Sequence, residues 1–237
     1  MLKVDSLHNW IGQLSATARE DVLACMRARH YPDGDAIYSL GDEGKELYLI
    51  ESGRVRFCNY TARGKEIEFA ELREGDCFGE LSLIDGLYRP HCTYAAGPTT
   101  LQVLQKRDFD SLCAKYPEIF QQLMRLMAHH LRQTYTMIED ATVLPMRDRL
   151  ARLLSRLAYS FGTVEPTGTT LLEGVTHESL ARMLGSTREG VSRELKQLEA
   201  AGLVRREYGR ILIPDLPALI AASDALVGGE PLVPGYQ

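Results

Sequence analysis

Residues Thr176 to Arg206, THESLARMLGSTREGVSRELKQLEAAGLVRR, constrain this chain more than any other stretch, because they encode a helix, a tight turn and a second helix in 31 positions. Thr176 suits an N-cap, and Glu178 in the first turn places negative charge where the helix dipole favours it. Leu180, Ala181 and Leu184 share one face of the first helix, and Gly185 ends it where the chain must turn sharply. Val191, Leu195 and Leu198 recur at helical spacing in the second helix. Gly202 closes that helix before Leu203 and Val204 begin a strand.

The spacing Ala181, Gly185, Val191 resembles the helix-turn-helix signature, in which a small residue lets the helices approach and a branched residue locks the second one. Opposite the core face, Arg188, Glu189, Ser192 and Arg193 share one exposed surface, with Thr187 just before them. Arg can fork to guanine O6 and N7, Glu can accept from the cytosine amino group, and Ser can bond a base edge or a phosphate. The bland alternative is a solvated face with an i,i+4 ion pair between Glu189 and Arg193. The segment Leu203 to Ile213 favours base reading, because it forms a hairpin around Tyr208-Gly209-Arg210. Arg205, Arg206 and Arg210 suit a wing lying on the phosphate backbone.

With 237 residues, 45% of them hydrophobic, the chain can build two modest domains with their own cores. No apolar run approaches membrane-spanning length and no signal-peptide pattern opens the chain, so no membrane partner and a cytoplasmic location are expected. Cys25, Cys58, Cys77, Cys92 and Cys113 are scattered and odd in number, without a CxxC pair. Neither a disulfide framework, nor a zinc site, nor an iron–sulfur site is signalled, and no metal is expected. Exposed single thiols are left as the form a redox response would take. The net charge of −5 is divided unevenly: Pro145 to Pro217 carries 11 Arg and Lys against 9 Asp and Glu, a net of +2. That permits local phosphate contact.

Residues 6 to 30 read as helical, with Leu14, Val22, Leu23 and Met26 as packing residues. From Tyr31 the period changes. The runs AIYSL, LYLI, VRFCNY, IEFAEL and LQVL are separated by turns at Gly34, Gly41, Gly44, Gly53, Gly64, Gly75 and Gly97, which suggests a compact antiparallel barrel or sandwich.

After Pro117 a long helix runs to near Asp140, with Phe120, Met124, Met127, Leu131, Thr134, Ile138 and Ala141 spaced by fours and threes. That is a seam along which two copies could pair, giving a homodimer. Leu123, Leu126 and Met137 form a second stripe to pack on the strands, and the alternative is a helix buried within one chain. Val143 to Met146 is a short hinge, Arg147 to Tyr159 another helix, and Phe161 to Gly174 a connection rich in Gly, Thr and Pro. The tail from Gly228 is expected to be mobile. His129 and His130 are adjacent, point about 100° apart on a helix and suit one metal poorly, so both are expected at a surface or interface.

Residues 31 to 108 look like the β-roll of the cyclic-nucleotide-binding domain, and residues 10 to 215 resemble the Crp/Fnr superfamily of bacterial transcription regulators. The residues that carry this are Gly41, Gly53, Gly64-Lys65-Glu66, Gly75-Asp76 and Phe78-Gly79-Glu80-Leu81-Ser82-Leu83, together with the REGVSR helix. The resemblance implies an α+β fold with an N-terminal cyclic-nucleotide-binding-type β-roll, a long dimerisation helix and a C-terminal winged helix-turn-helix. The expected boundaries are 1–116 for the sensory part, 117–144 for the dimerisation helix and hinge, 145–220 for the winged helix and 221–237 for the tail. The implied partners are double-stranded DNA, a second copy of the chain and RNA polymerase. Arg188, Glu189 and Arg193 match the family's base-contacting positions, so a two-fold symmetric, TGTGA-like site is expected. The rival reading is a small-molecule-binding module whose C-terminal domain contacts protein. No nucleophile, base and orienting group recur at a recognisable spacing, so an enzyme is not expected.

By the same resemblance, the Gly79-Glu80-Leu81 turn would cradle a cyclic phosphate, Glu80 would hold the ribose hydroxyl, Arg89 would pair with the phosphate and Thr134 would contact the base. The ligand class so implied is a cyclic nucleotide such as cyclic AMP. This chain departs from the pattern. Pro90 and His91 stand where the family has a hydroxyl residue and Ala, and Tyr135 stands where cyclic-AMP responders carry a small hydroxyl. Pro90 has neither the hydroxyl nor an N–H, so two phosphate donors are lost, each worth roughly 1.5–3 kcal/mol. Cyclic AMP is expected to bind weakly or not at all. A pocket closed by an internal Glu80–Arg89 ion pair is the structural alternative.

Overall fold

The computed structural model describes residues 8–224, and the chain divides between Leu131 and Arg132 into two compact units. The stretch from Gly228 lies outside the described residues.

The first unit opens with a 3-10 turn (Ile11–Gln13) and α1 (Ala16–Cys25). It continues through β1 (Arg27–Tyr31), β2 (Ala36–Tyr38), β3 (Glu46–Ser52), β4 (Arg54–Tyr60), β5 (Glu66–Arg73), β6 (Cys77–Phe78), α2 (Glu80–Asp85), β7 (Cys92–Ala95), β8 (Thr99–Gln105) and α3 (Lys106–Lys115), and then enters α4 (Glu118–Val143). The strands form two antiparallel sheets, ordered β1-β8-β3-β6 and β2-β7-β4-β5. Strand β3 shows why both faces of the first sheet are covered. Tyr48 and Ile50 point at the second sheet, in a core with Tyr38, Val55, Leu72, Phe78, Leu101 and Val103. The alternate residue Leu47 points the other way, into a core with Trp10, Val22, Leu104, Phe109 and Leu123.

The N-terminal helix is shorter than residues 6 to 30. It ends at Cys25, and Arg27 to Tyr31 pairs with β8 in the register Arg27↔Val103 to Tyr31↔Thr99. The strand has four exposed residues in five, so the ladder holds it rather than an apolar face. Leu23 is exposed, and Trp10, Ile11 and Ala18 take the packing positions beside Leu14, Val22 and Met26.

Helix α4 separates the two expected stripes only in part. Ile119, Leu123 and Leu126 are buried against the sheet and α1, and Met127 is half-buried on the same core, so Met127 belongs with the inner stripe as much as with the seam. Phe120, Met124, Leu131 and Ile138 are exposed, as is Met137, which was expected to be covered. His129 is buried and His130 half-buried, not at the surface. Burial holds both imidazoles below their usual range, and Nε2 of His130 lies 3.2 Å from Nδ1 of His8.

The second unit takes the C-terminal part of α4, then α5 (Met146–Phe161), β9 (Thr163–Val164), β10 (Thr170–Glu173), α6 (His177–Leu184), α7 (Arg188–Ala200), β11 (Arg205–Glu207), β12 (Arg210–Ile213) and α8 (Leu216–Asp224). The stretch from Phe161 to Gly174 is therefore more than a connection. Its two strands complete a sheet ordered β11-β12-β10-β9, with β10 paired to β12 from Thr170↔Ile213 to Glu173↔Arg210. Leu150, Leu154, Leu180, Val191, Leu195, Ile213 and Leu219 fill the core between helices and sheet.

Near the end of α4, Asp140 is buried and accepts from Nη1 of Arg156 at 2.7 Å. Its other oxygen stands 2.8 Å from Nε of Arg152, which is buried too. Two cations from α5 thus share one carboxylate, and removing it takes that counter-charge from both. Asp140→Ala should destabilise this unit by about 3–5 kcal/mol, seen as a lower calorimetric midpoint. A loss under about 1 kcal/mol, the scale of an exposed pair, would show that the carboxylate is not holding the two arginines.

Candidate functional site

The helix pair is fixed at both starts by hydroxyls. Thr176 Oγ1 accepts from the Ser179 N–H at 3.0 Å while Ser179 Oγ accepts from the Thr176 N–H at 3.0 Å, a reciprocal cap. Gly185 adopts φ +63°, the left-handed turn that lets α7 follow at once. Thr187 caps α7 by accepting from the Gly190 N–H at 3.1 Å, which leaves its hydroxyl proton as a donor. Arg188, Glu189 and Arg193 are exposed on one face and Ser192 is half-exposed. Arg193 pairs with its neighbour Glu194, Nε to Oε1 at 3.0 Å, rather than with Glu189, and its side chain stays 70% exposed. His177 at the start of α6 was not singled out in the sequence. Its imidazole is held low by burial and by the charges of Arg206 and Arg188, which marks a positive corner beside the start of α7.

The three wing arginines differ. Glu207 accepts from Arg205 at 3.2 Å and from Nε of Arg210 at 2.8 Å, and these bonds hold its carboxyl below the usual range. Tyr208 at the tip is fully exposed. Arg206 points elsewhere: its Nε donates to Glu199 Oε2 at 2.8 Å and its backbone N–H to Oε1 at 2.9 Å. It ties β11 to the end of α7, so of the residues grouped for phosphate contact it is the one already committed to the fold.

In the first unit, Glu80 opens α2 and Arg89 precedes β7, and both are buried, at 5% and 3% exposure. The alternative reading, an ion pair between them, does not form. Arg89 donates from Nη1 to the Gly79 carbonyl at 2.7 Å and from Nη2 to the Glu46 carbonyl at 2.5 Å, and its guanidinium lies 4.3 Å from the centre of the Tyr38 ring. Gly79 has φ +91°, and a Cβ there would sit 3.1 Å from both Nη1 of Arg89 and the Glu46 oxygen, so glycine is needed for this approach. Burial raises the Glu80 carboxyl to about 7, opposed only in part by Arg89. His91 bonds Tyr38 Oη at 3.1 Å and packs 4.7 Å from the Phe57 ring centre; burial, then Arg89, lowers it to about 4. Pro90 and Leu81 are exposed, and on α4 so are Thr134 and Tyr135. Tyr38, Tyr48 and Glu46, which surround Arg89, carry no sequence signal because they converge from distant strands.

Arg89 Nε, Glu80 Oε2 and Ser82 Oγ are buried without a hydrogen-bond partner. A lone donor near a lone acceptor fits a ligand that offers both an anionic oxygen and a hydroxyl, as a cyclic nucleotide does. The fit is incomplete, since both terminal nitrogens of Arg89 are occupied by carbonyls. Among the described residues no group of three His, Cys, Asp or Glu could hold a metal, and no helix is long and apolar enough to cross a membrane.

Residues 28–116 match the Cyclic nucleotide-binding domain family and residues 148–222 the Crp-like helix-turn-helix domain family. The CRP-like cAMP-activated global transcriptional regulator of Mycobacterium tuberculosis is 32% identical over 188 residues, 78% of this chain and 83% of that protein. The Cyclic AMP receptor protein of Thermus thermophilus is 32% identical over 197 residues, 83% of this chain and 88% of that one. A solved structure of a CooA variant from Carboxydothermus hydrogenoformans superposes with a TM-score of 0.74 at 26% identity, covering 94% of this chain and 98% of that one.

The carboxyl of Glu80 makes stability depend on pH in a defined direction. Between its ordinary value of 4.5 and about 7 the folded protein keeps a proton that the unfolded chain releases, so this group's contribution falls as pH rises through that window. His91, held at about 4 against an ordinary 6.5, acts in the opposite sense between those values. Glu80→Gln should therefore leave stability near pH 4 unchanged and raise it at pH 8 by on the order of 3 kcal/mol. Equal effects at the two pH values in calorimetry would assign the change to packing instead.

Proposed function

Because the chain belongs to the Crp/Fnr family of bacterial transcription regulators, with a cyclic nucleotide-binding domain and a Crp-like helix-turn-helix domain, we propose that it works as a homodimer that reads a two-fold symmetric, TGTGA-like DNA site in the cytoplasm, with RNA polymerase as its protein partner. The roll is the sensory part, α4 the dimerisation element and residues 145–220 the reading head.

The observation that carries this reading is the exposed triad Arg188, Glu189 and Arg193 at the start of a helix whose entry is capped and whose neighbour is a hairpin wing. Two guanidinium forks and one carboxylate can address two G·C pairs in the major groove, and Ser192 adds a hydroxyl on the same face. Arg205 and Arg210 lie along the phosphates, sharing Glu207 until DNA competes for them, while Arg206 keeps the wing in place through Glu199. The exposed residues Phe120, Met124, Leu131 and Ile138 of α4 would pair across the two-fold axis, with Thr134 in the same row.

Two relatives are named for cyclic AMP; in this chain His91 and Tyr38 close over Arg89. The pocket would take a ligand with an anionic oxygen and a hydroxyl through Arg89 and Glu80, and it should bind cyclic AMP weakly. Titration calorimetry with a micromolar or tighter constant would overturn that expectation.

Selection from a random duplex pool tests the DNA reading directly, and recovery of no symmetric motif would refute it. On the selected site, Arg193→Ala should cost about 1–3 kcal/mol and relax one base pair. Equal losses on selected and random DNA would remove Arg193 from base reading. Glu207→Gln should strengthen binding to all sequences and steepen the salt dependence by roughly one unit of slope, as an arginine is released to the phosphates.

Dimerisation is best probed at Met124 and Leu131, since Met127 also packs on the core. Light scattering of Met124→Glu at micromolar concentration should report a monomer. A persistent dimer would place the interface elsewhere.

A further inference from the structure

Cys58 and Cys92 stand directly opposite each other at the end of the β4–β7 ladder, which runs Val55↔Ala95, Arg56↔Tyr94, Phe57↔Thr93, Cys58↔Cys92. The Ala96 N–H donates to the Arg54 carbonyl at 2.8 Å. Bonded pairs alternate along an antiparallel ladder, so the Cys58 and Cys92 position belongs to the bonded class, with Cα atoms about 5.5 Å apart. Disulfides span Cα separations of about 4.4–6.8 Å. Opposed residues in a ladder project to the same face of the sheet, so both thiols lie on one side. No ladder brings any two of Cys25, Cys77 and Cys113 opposite each other; Cys77 and Cys113 lie in the core between helices and sheet, and Cys25 is partly buried against it.

We propose that Cys58 and Cys92 are a reversible dithiol switch in the sensory sheet, closed to a disulfide by a hydroperoxide and reopened by a thiol reductant. Cys92 is the less buried of the two, at 9% against 0%, and its Sγ receives the Leu40 N–H at 3.4 Å. It reacts first: the Cys92 thiolate attacks one peroxide oxygen, the O–O bond breaks and hydroxide leaves, giving a sulfenic acid. The sulfur of Cys58 then attacks the sulfur of Cys92. The S–S bond forms, the S–O bond breaks, and the hydroxyl departs as water with the proton of Cys58. In sum, two thiols and one hydrogen peroxide become one disulfide and two waters. Burial pushes the Cys58 thiol up to about 11, which disfavours it as the first nucleophile.

The bridge would act on the pocket because β7 begins directly after Arg89, Pro90 and His91. Asn59, next to Cys58, donates from Nδ2 to the Pro90 carbonyl at 3.2 Å. Closing Cβ atoms from the ladder spacing to about 3.8 Å draws the start of β7 toward β4, and the loop that carries Arg89 must follow.

The test uses the full-length chain exposed to hydrogen peroxide, unfolded in an alkylating agent and digested without reduction. The expected product is a Cys58–Cys92 linked peptide that dithiothreitol abolishes, with Cys25, Cys77 and Cys113 recovered alkylated. Recovery of Cys58 and Cys92 as alkylated thiols, or linkage through other cysteines, overturns the proposal. This measurement needs no variant. In Cys58→Ser a dimedone probe should label Cys92, and in Cys92→Ser it should leave Cys58 unlabelled; the reverse pattern refutes the order of attack. Hydrogen exchange over Gly86 to His91 should change on oxidation in the wild type and not in Cys58→Ser. Unchanged exchange in the wild type would remove the coupling to the pocket.

Discussion

The first unit is arranged around a guanidinium withdrawn almost wholly from water. Arg89 binds the carbonyls of Gly79 and Glu46, lies on Tyr38, and through its backbone joins the turn at Gly41 and Asp42. Strands β2 and β3, the link from β6 to α2 and the start of β7 therefore share one charged centre. A buried cation is tolerated only where dipoles or anions replace its hydration. Here carbonyls and an aromatic face do this, since no carboxylate reaches it. The arrangement explains the need for glycine at position 79, and it explains why Glu80, left without a partner on Oε2, holds its proton near neutrality.

How much of this was legible in the sequence varies with the range of the interaction. The helix-turn-helix was readable because local rules fix it: Thr176 caps one helix, Gly185 turns left-handed, and Val191 and Leu195 repeat at helical spacing. Glycine turns and short apolar runs indicated an antiparallel barrel or sandwich, and the family resemblance narrowed it to a β-roll. Strand β1 was not, because RARHY has no apolar alternation and only its pairing with β8 makes it a strand. Strands β9 and β10 hid in a segment of Gly, Thr and Pro, although Thr163, Val164 and Thr170 are β-branched and favour extended backbone. At the pocket, Glu80 and Arg89 could be named from the family resemblance. Tyr38 closing over Arg89 with His91 could not, since that contact joins strands more than 50 positions apart.

The two halves of the surface proposed to read DNA handle charge differently. On α7 the exposed Arg188 and Glu189 remain available, whereas on the wing Glu207 engages two arginines and Glu199 a third. A net negative protein gains from such self-pairing. Its cations are held in position before contact, and the like-charge repulsion they would otherwise exert on one another is removed.

The uncovered apolar row along α4 has a bearing on cellular abundance. Phe120, Met124, Leu131 and Ile138 face water in a solitary chain, so any encounter that covers them adds to folding stability by mass action. With α4 pairing as proposed, the thermal midpoint climbs with protein concentration. A cell that lets the copy number fall also loosens each remaining molecule, exposes it to proteolysis and clears it faster, so that scarcity reinforces itself.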